Sequence, residues 1–345
     1  MDWSIALILS QDGLTNGAIY ALLALALVLV FAVTRVVFIQ QGEFVAYGAL
    51  TLAMIQAGTA PATLWMLIAM GVVVSVIDGV GAMRAGHSRR ALSIIAYNLL
   101  YPALLLAVLS GLPLASLPLF VQVLLTLSVV VPMGPMMYRL AYQPIASAPV
   151  LILLIVSVAL HIAMVGLGLL FFGAEGYRTK PFSEMSLNLG PLLVTGQTLW
   201  VIGSSVVLIV VLYQFFGRTI YGKALRATAI NRVGARLMGI SPSLAGKLTF
   251  LLAALIGALS GVLIAPITTI YYDTGFLIAL KGFVAAIIGG LASYPLAAVG
   301  AVVVGLLEAF SSFWASAYKE VIVFTLIIPV LLWRSLTSHH VEEEE

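Results

Sequence analysis

The sequence predicts an all-α, polytopic integral membrane protein of about 8–11 transmembrane or re-entrant helices, and three observations predict it. Of 345 residues, 62% are hydrophobic and 8% charged, with a mean hydropathy of +1.16, a balance that no water-soluble domain sustains. Runs such as Ala21 to Phe31, Val150 to Leu160 and Val206 to Tyr213 are apolar nearly all round, so lipid or other helices are their solvent. Period-2 alternation is absent, and a bilayer obliges each span to satisfy its own backbone, which selects helices over a barrel. The absence of cysteine excludes disulfides and thiolate metal sites.

The chain opens Met1-Asp2-Trp3 and runs apolar to Ser10. This stretch lacks the basic flank and the length of a signal peptide and reads as an interfacial helix. Apolar runs bounded by Pro, Gly and charge then place segments at 14–34, 42–58, 64–78, 91–111, 117–137, 150–172, 198–216, 247–265, 276–291, 295–311 and 319–334, within one membrane-spanning domain, 1–345. Segments 64–78 and 276–291 fall short of the roughly twenty residues of a perpendicular span and read as broken or re-entrant. The loop 173–197 mixes Glu175, Arg178, Lys180 and Glu184 with Pro181 and Pro191 and reads as a structured external cap. The tail 338–345, His339-His340-Val341 followed by Glu342 to Glu345, reads as a disordered, solvated end with no metal role.

Crossing at every segment from an outside start puts Arg35, Arg84, Arg89, Arg90, Arg139, Arg334 and the basic residues of 218–247 on one side. Basic loops stay cytoplasmic, so the N-terminus is expected outside and the C-terminus inside. The net charge of +3 is spread over membrane boundaries rather than one face, which argues against a nucleic-acid partner and for contact with membrane lipid.

No acidic residue lies between Glu184 and Asp273, and Gly217 to Lys247 carries Arg218, Lys223, Arg226, Arg232, Arg236 and Lys247. Within it, Gly217-Arg-Thr-Ile-Tyr-Gly222-Lys223-Ala224 approaches a phosphate-binding loop. Ala224 supplies no hydroxyl for magnesium and a membrane helix precedes in place of a strand, so nucleotide binding is rejected. Read as one helix, Gly222 to Met238 aligns Ala227, Ile230, Gly234 and Leu237, with Arg232 and Arg236 opposite. Gly239 is placed to stop it, and Ser241-Pro242 to cap and start the next helix. Two readings stand: a docking element, or a basic helix lying on anionic lipid.

The stretch Arg226-Ala-Thr-Ala-Ile-Asn-Arg-Val-Gly-Ala-Arg-Leu-Met-Gly-Ile240 resembles the coupling loop of the branched-chain amino acid ABC transporter permeases of the LivH type. Gly13-Leu-Thr-Asn-Gly-Ala-Ile-Tyr-Ala-Leu-Leu-Ala-Leu25 resembles that family's first membrane helix, Gln41-Gly-Glu-Phe44 its Gly-Glu turn, and Leu280-Lys-Gly-Phe-Val-Ala-Ala-Ile-Ile-Gly-Gly-Leu291 its late Gly-rich segment. The resemblance covers most of 11–60 and 132–334. It implies a non-enzymatic permease subunit in a bacterial plasma (inner) membrane, importing branched-chain or related amino acids by alternating access. Its implied partners are cytosolic ATPase subunits, a second permease (a homologue or itself) and an external substrate-binding protein. No cofactor is implied in this chain, ATP and Mg being used by the ATPases. Coupling falls to the cytoplasmic loop 217–246, through Arg226, Ala227, Ala229, Ile230, Asn231, Ala235, Leu237 and Gly239. The chain departs from the family where Phe38-Ile-Gln-Gln41 replaces Asn-Phe-Ala-His, where Ala227 stands near the place of a Glu common in importers, and in a longer stretch from Asp78 to Pro118.

Charges inside membrane segments are costly and count as functional candidates. Glu43, two residues after Gln41, reads either as a carboxylate at a helix N-terminus near the interface or, with Gln41, as part of the translocation path. A hairpin turning near Ser293 brings Lys281 and Glu308 to similar depth, as a pair beside the path or as a structural tether. Gly13/Gly17 and Gly257/Gly261 carry the small-xxx-small spacing of close helix packing. Gly-interrupted stretches at Gln40 to Gly48 and Gly282 to Gly290 fall in opposite halves, as pathway segments do in transporters built of two repeats. Two alternatives remain: a permease for another small polar solute such as an amide or urea, and a secondary transporter or channel, which needs acidic or His groups deep in the membrane. The intramembrane enzyme reading lacks any metal-binding or paired-aspartate motif.

Overall fold

The chain is described from a computed structural model, which covers residues 2–84, 86–190, 192–291 and 293–337; the tail 338–345 lies outside the described residues. Helices occupy every predicted segment: α1 (Trp3–Thr34), α2 (Gln41–Gln56), α3 (Thr63–Arg84), α4 (Ser88–Gly111), α5 (Leu119–Val130), α6 (Met133–Met137), α7 (Val150–Phe172), α8 (Gly196–Arg218), α9 (Ile220–Ile230), α10 (Arg232–Leu237), α11 (Pro242–Ile264), α12 (Thr274–Ile288), α13 (Tyr294–Trp314), α14 (Lys319–Thr325) and α15 (Ile327–Thr337). A hairpin of β1 (Ser186–Leu189) and β2 (Leu192–Thr195) pairs antiparallel within the 173–197 loop. Among the described residues, nine helical stretches are long and apolar enough to cross a membrane, and the protein is an all-α polytopic membrane protein.

Several boundaries differ from expectation for identifiable reasons. The N-terminal run is not a separate interfacial helix, because α1 continues unbroken for 32 residues, about 48 Å at 1.5 Å per residue. Gly13 does not break it, since that glycine lets α1 approach α13, where a Cβ would meet Leu306 at 2.8 Å. The 64–78 segment is neither short nor broken: α3 runs 22 residues, and its Gly71 and Gly79 sit against Asn98 and Ile95 of α4. The 117–137 segment continues past its expected end, with α6 followed by a π-helical turn, Tyr138–Tyr142, and a 3-10 turn to Ile145. Pro132, Pro135 and Pro144 interrupt regular hydrogen bonding along that stretch.

The buried centre is α1, α2 and α11. Their contacts run through small residues, with Gly48 against Ala258, Gly257 against Phe44, and Gly261 against Val45, which lets backbones approach and dispersion contacts replace the missing hydrophobic drive. Helices α7 and α8 lie outside, with Leu151, Ile155, Ile162, Val207 and Val211 exposed.

Two helices start inside the bundle. After Arg35, held at φ 61°, residues 35–40 run without helix, with Val36 and Phe38 buried. The Gln41 side-chain amide donates to the Ala253 carbonyl (3.1 Å), about 17 Å along an α11 of about 35 Å. Helix α2 therefore begins near mid-bundle. Helix α12 has 15 residues, about 22 Å, less than the roughly 30 Å of a hydrocarbon core. Its first turn crosses that of α2, where a Cβ on either Gly42 or Gly275 would collide with the other's carbonyl oxygen. From this crossing α2 runs to Gln56, which accepts from the Lys180 amide of the 173–197 loop. Helix α12 runs to the opposite end, where Gly289 packs on Ala297. Non-helical backbone at this depth is tolerated because protein surrounds it.

Candidate functional site

Lys281 of α12 and Glu308 of α13 pair at 2.5 Å, both nearly buried. The Tyr20 hydroxyl of α1 donates to the other Glu308 oxygen (2.5 Å), and Lys281 also reaches Glu320 of α14 at 3.2 Å. One cation thus joins two carboxylates and a phenol from four helices, which supplies the charge compensation and hydrogen bonds that a buried ion requires. The cluster borders a polar vestibule of about 930 Å³. Arg178, Glu184 and Thr195 of the 173–197 loop line the vestibule as well, so it opens toward that loop.

A second charged centre lies where α2 begins. Glu43 is 1% exposed, and its carboxylate meets Nδ1 of His161 on α7 at 2.7 Å. The His161 ring stacks on Phe276 of α12 with centroids 4.4 Å apart. The bond belongs to a polar seam between α2 and the otherwise apolar α7. Gln40 donates to the Ser157 carbonyl (2.8 Å), Tyr142 bonds Gln40 and Ser157, and the Tyr47 hydroxyl donates to the Met164 carbonyl (2.7 Å). Residues 157, 161 and 164 recur at helical spacing, so one face of α7 is zipped to the core while its remainder is exposed.

Two smaller cavities flank the stacked pair. A recess of about 230 Å³ is lined by His161, Asp273, Thr274 and Phe276. A pocket of about 310 Å³, lined by Leu27, Phe38, Leu154, Phe276, Ala279 and Phe283, is wholly apolar. A groove of about 600 Å³ along α8, between Leu199, Trp200 and Val211, has no charged lining residue.

At the opposite end from the vestibule, the basic stretch folds as two helices rather than one. Asn231 adopts φ −145°, ψ 101°, ending α9, and its side chain accepts from Gly234 N–H at 2.7 Å to start α10. The local capping bond outcompetes helix continuation. Thr219 caps α9, Gly239 turns the chain at φ 81°, and Ser241 caps α11 with Pro242 at its start. The inner face of α9, through Leu225 and Ala229, packs on Leu29 and Val33 of α1 and Ala245 of α11. The outer face leaves Ile230 85% and Leu237 83% exposed, with Val233 and Met238 beside them.

A family model described as the branched-chain amino acid transport system permease component matches residues 10–331. The chain belongs to this family. It is similar to the high-affinity branched-chain amino acid transport system permease protein LivH of Salmonella typhimurium, 32% identical over 214 residues, which are 56% of this chain and 65% of the relative. It is also similar to BraD of Pseudomonas aeruginosa, 30% identical over 230 residues, 64% of this chain and 74% of the relative. A probable LivH of Methanocaldococcus jannaschii is 30% identical over 135 residues, 37% of this chain and 43% of the relative. The chain thus spans 65% of the length of the first of these relatives. No solved structure matches.

Within this family member, the structure brings Lys281 and Glu308 together and adds Tyr20 and Glu320, which sequence reasoning missed. Glu43 lies in the first turn of α2, as its helix-end reading expects, but its placement at the interface is corrected: that turn lies mid-bundle and its carboxylate is paired with His161. His161 carried a signal, as the one ionisable residue of a 23-residue apolar helix. Gln41 is buried and spans to α11. Arg139, expected as a loop residue, pairs with Asp78, its Nε donating at 2.7 Å, which ties the α3–α4 hairpin to the π-helical turn. Of the coupling residues, Arg226, Ile230, Asn231, Leu237 and Gly239 are exposed, Ala227 and Ala229 half-buried, and Ala235 buried. The expected single stripe is split by the Asn231 break, which leaves Ala227 and Gly234 turned partly inward.

Proposed function

We propose that the chain is the transmembrane permease subunit of an ATP-driven importer for branched-chain or related amino acids, coupled to separate ATPase subunits through the 217–246 loop. The observation that carries this reading is the outer face of α9 and α10, where Ile230, Val233, Leu237 and Met238 stand exposed among Arg226 and Arg236. Exposed apolar side chains on a loop beyond the spans favour a protein partner, and the inner face of α9, seated on α1 and α11, passes a push to the core. The basic residues at this end support a cytosolic location for it, with the 173–197 loop outside to meet a binding protein. ATP and Mg are used by the ATPases, a second permease completes the core, and no bond-breaking step falls to this chain. Its working place is a bacterial inner membrane. Purification of the affinity-tagged chain from its own cells tests the reading: an ATPase subunit is expected to co-purify, and uptake to require ATP.

A second reading is favoured by the buried Glu43–His161 pair, since ion-coupled carriers use such groups. Uptake driven by an ion gradient, with no ATPase recovered, would select it.

A further inference from the structure

Three cavities border one helix, α12. Thr274 and Leu277 border both the vestibule and the recess, and Phe276 borders both the recess and the apolar pocket. Phe276, on which the His161 ring stacks, is the side chain shared by the recess and the apolar pocket. Chemistry changes in step: Lys281 and Glu308 border the vestibule, Asp273 and His161 the recess, and only apolar side chains the pocket. Behind the stack, at the junction of recess and pocket, Glu43, which itself lines none of the three cavities, bonds His161 through one oxygen, while the other is buried without a hydrogen-bond partner among the described residues. A buried carboxylate oxygen left unsatisfied is costly and favours a cationic donor. The pocket beyond is at the lower end of small-ligand sites in volume and has no polar lining group to satisfy.

We propose that this junction is the solute subsite of the route: an α-amino acid sets its ammonium on Glu43 and its branched aliphatic side chain in the pocket of Phe38, Leu154, Ala279 and Phe283. The His161–Phe276 stack is the gate between vestibule and pocket. Opening the stack exposes the free Glu43 oxygen, so binding and gating share one pair of side chains. The subsite rests on the transport reading and names the residues that select within it.

The test is uptake of radiolabelled leucine, alanine and phenylalanine by liposomes holding the complete transporter, with its ATPases and saturating binding protein. Ala279→Leu fills the pocket and is expected to lower leucine uptake relative to alanine about tenfold. Phe283→Ala enlarges it and is expected to raise phenylalanine uptake relative to leucine by about as much. Glu43→Gln keeps the shape but loses the charge, and is expected to slow leucine and alanine alike in complexes that still assemble. Unchanged ratios in both pocket variants, or undiminished uptake with Glu43→Gln, overturn the subsite. A wild-type complex that carries no amino acid overturns the transport reading instead, which separates the two failures.

Discussion

Arg232 of α10 donates from its guanidinium to the carbonyl oxygen of Ala146 at 2.9 Å, joining the basic loop to the turn that leads into α7. Helix α7 holds His161, so this hydrogen bond is a link by which a displacement of α10 is expected to reach the Glu43 centre. A charged hydrogen bond contributes about 1.5–3 kcal/mol, enough to weaken transmission about tenfold or more if lost. Arg232→Ala is expected to lower the ratio of solute moved to ATP hydrolysed by that factor while the ATPases remain bound. Uptake and phosphate release measured on one liposome preparation give the ratio, and an unchanged value rules the link out.

The proposed docking on the outer face of α9 and α10 makes a separate prediction. Ile230→Asp and Leu237→Asp put a charge where an apolar anchor is needed, and hot-spot losses of at least about 2 kcal/mol are expected. Both side chains are exposed, so membrane insertion is expected to be unaffected. Recovery of ATPase with the tagged chain should fall more than about tenfold; full recovery in both variants refutes the assignment.

The Lys281 cluster predicts unequal partners. Removing one member of a buried pair costs about 3–5 kcal/mol. Glu308→Ala leaves Lys281 its contact with Glu320 (3.2 Å), whereas Lys281→Ala leaves two carboxylates without their shared cation. Thermal unfolding in detergent should therefore rank Lys281→Ala below Glu308→Ala, with the double variant less affected than the sum by about 0.5–3 kcal/mol. Strictly additive losses would sink the pairing.

The α2–α12 crossing predicts a packing penalty. Gly275→Ala drives a methyl group into the Gly42 carbonyl and is expected to cost about 1–3 kcal/mol of stability. A methyl group added at Gly81 of α3 would meet no described atom within 4 Å, so Gly81→Ala is expected to be neutral or to stabilise by up to about 1 kcal/mol. Equal melting temperatures for the two variants would contradict the close approach.

Much of the fold was legible because membrane segments are local in composition. The span at 150–172 matches α7 to the residue, and Ser241-Pro242 marks the start of α11. What misled was equally local. The 64–78 segment read as broken or re-entrant, but α3 continues past it, and Gly71 and Gly79 serve contacts with α4 that no single segment encodes. Asn231 was read as a helical position, although its capping bond ends the helix. At the site, the sequence spacing of Lys281 and Glu308 around the Ser293 turn foretold their meeting, because a short hairpin fixes depth. Glu43 and His161 lie on helices far apart in sequence, and nothing local relates them.

The sequence by itself determined a helical membrane protein, most of its spans, the basic loop with its Gly239 turn and Ser241 cap and, through four motifs, its family. Only the tertiary structure decided that α2 and α12 begin side by side in the middle of the bundle. It alone set Glu43 against His161 and strung the vestibule, recess and apolar pocket along one helix. Hydropathy sums over neighbouring residues and so locates a span. Which face a helix turns inward, and at what depth it starts, depends on packing partners that are distant in the chain.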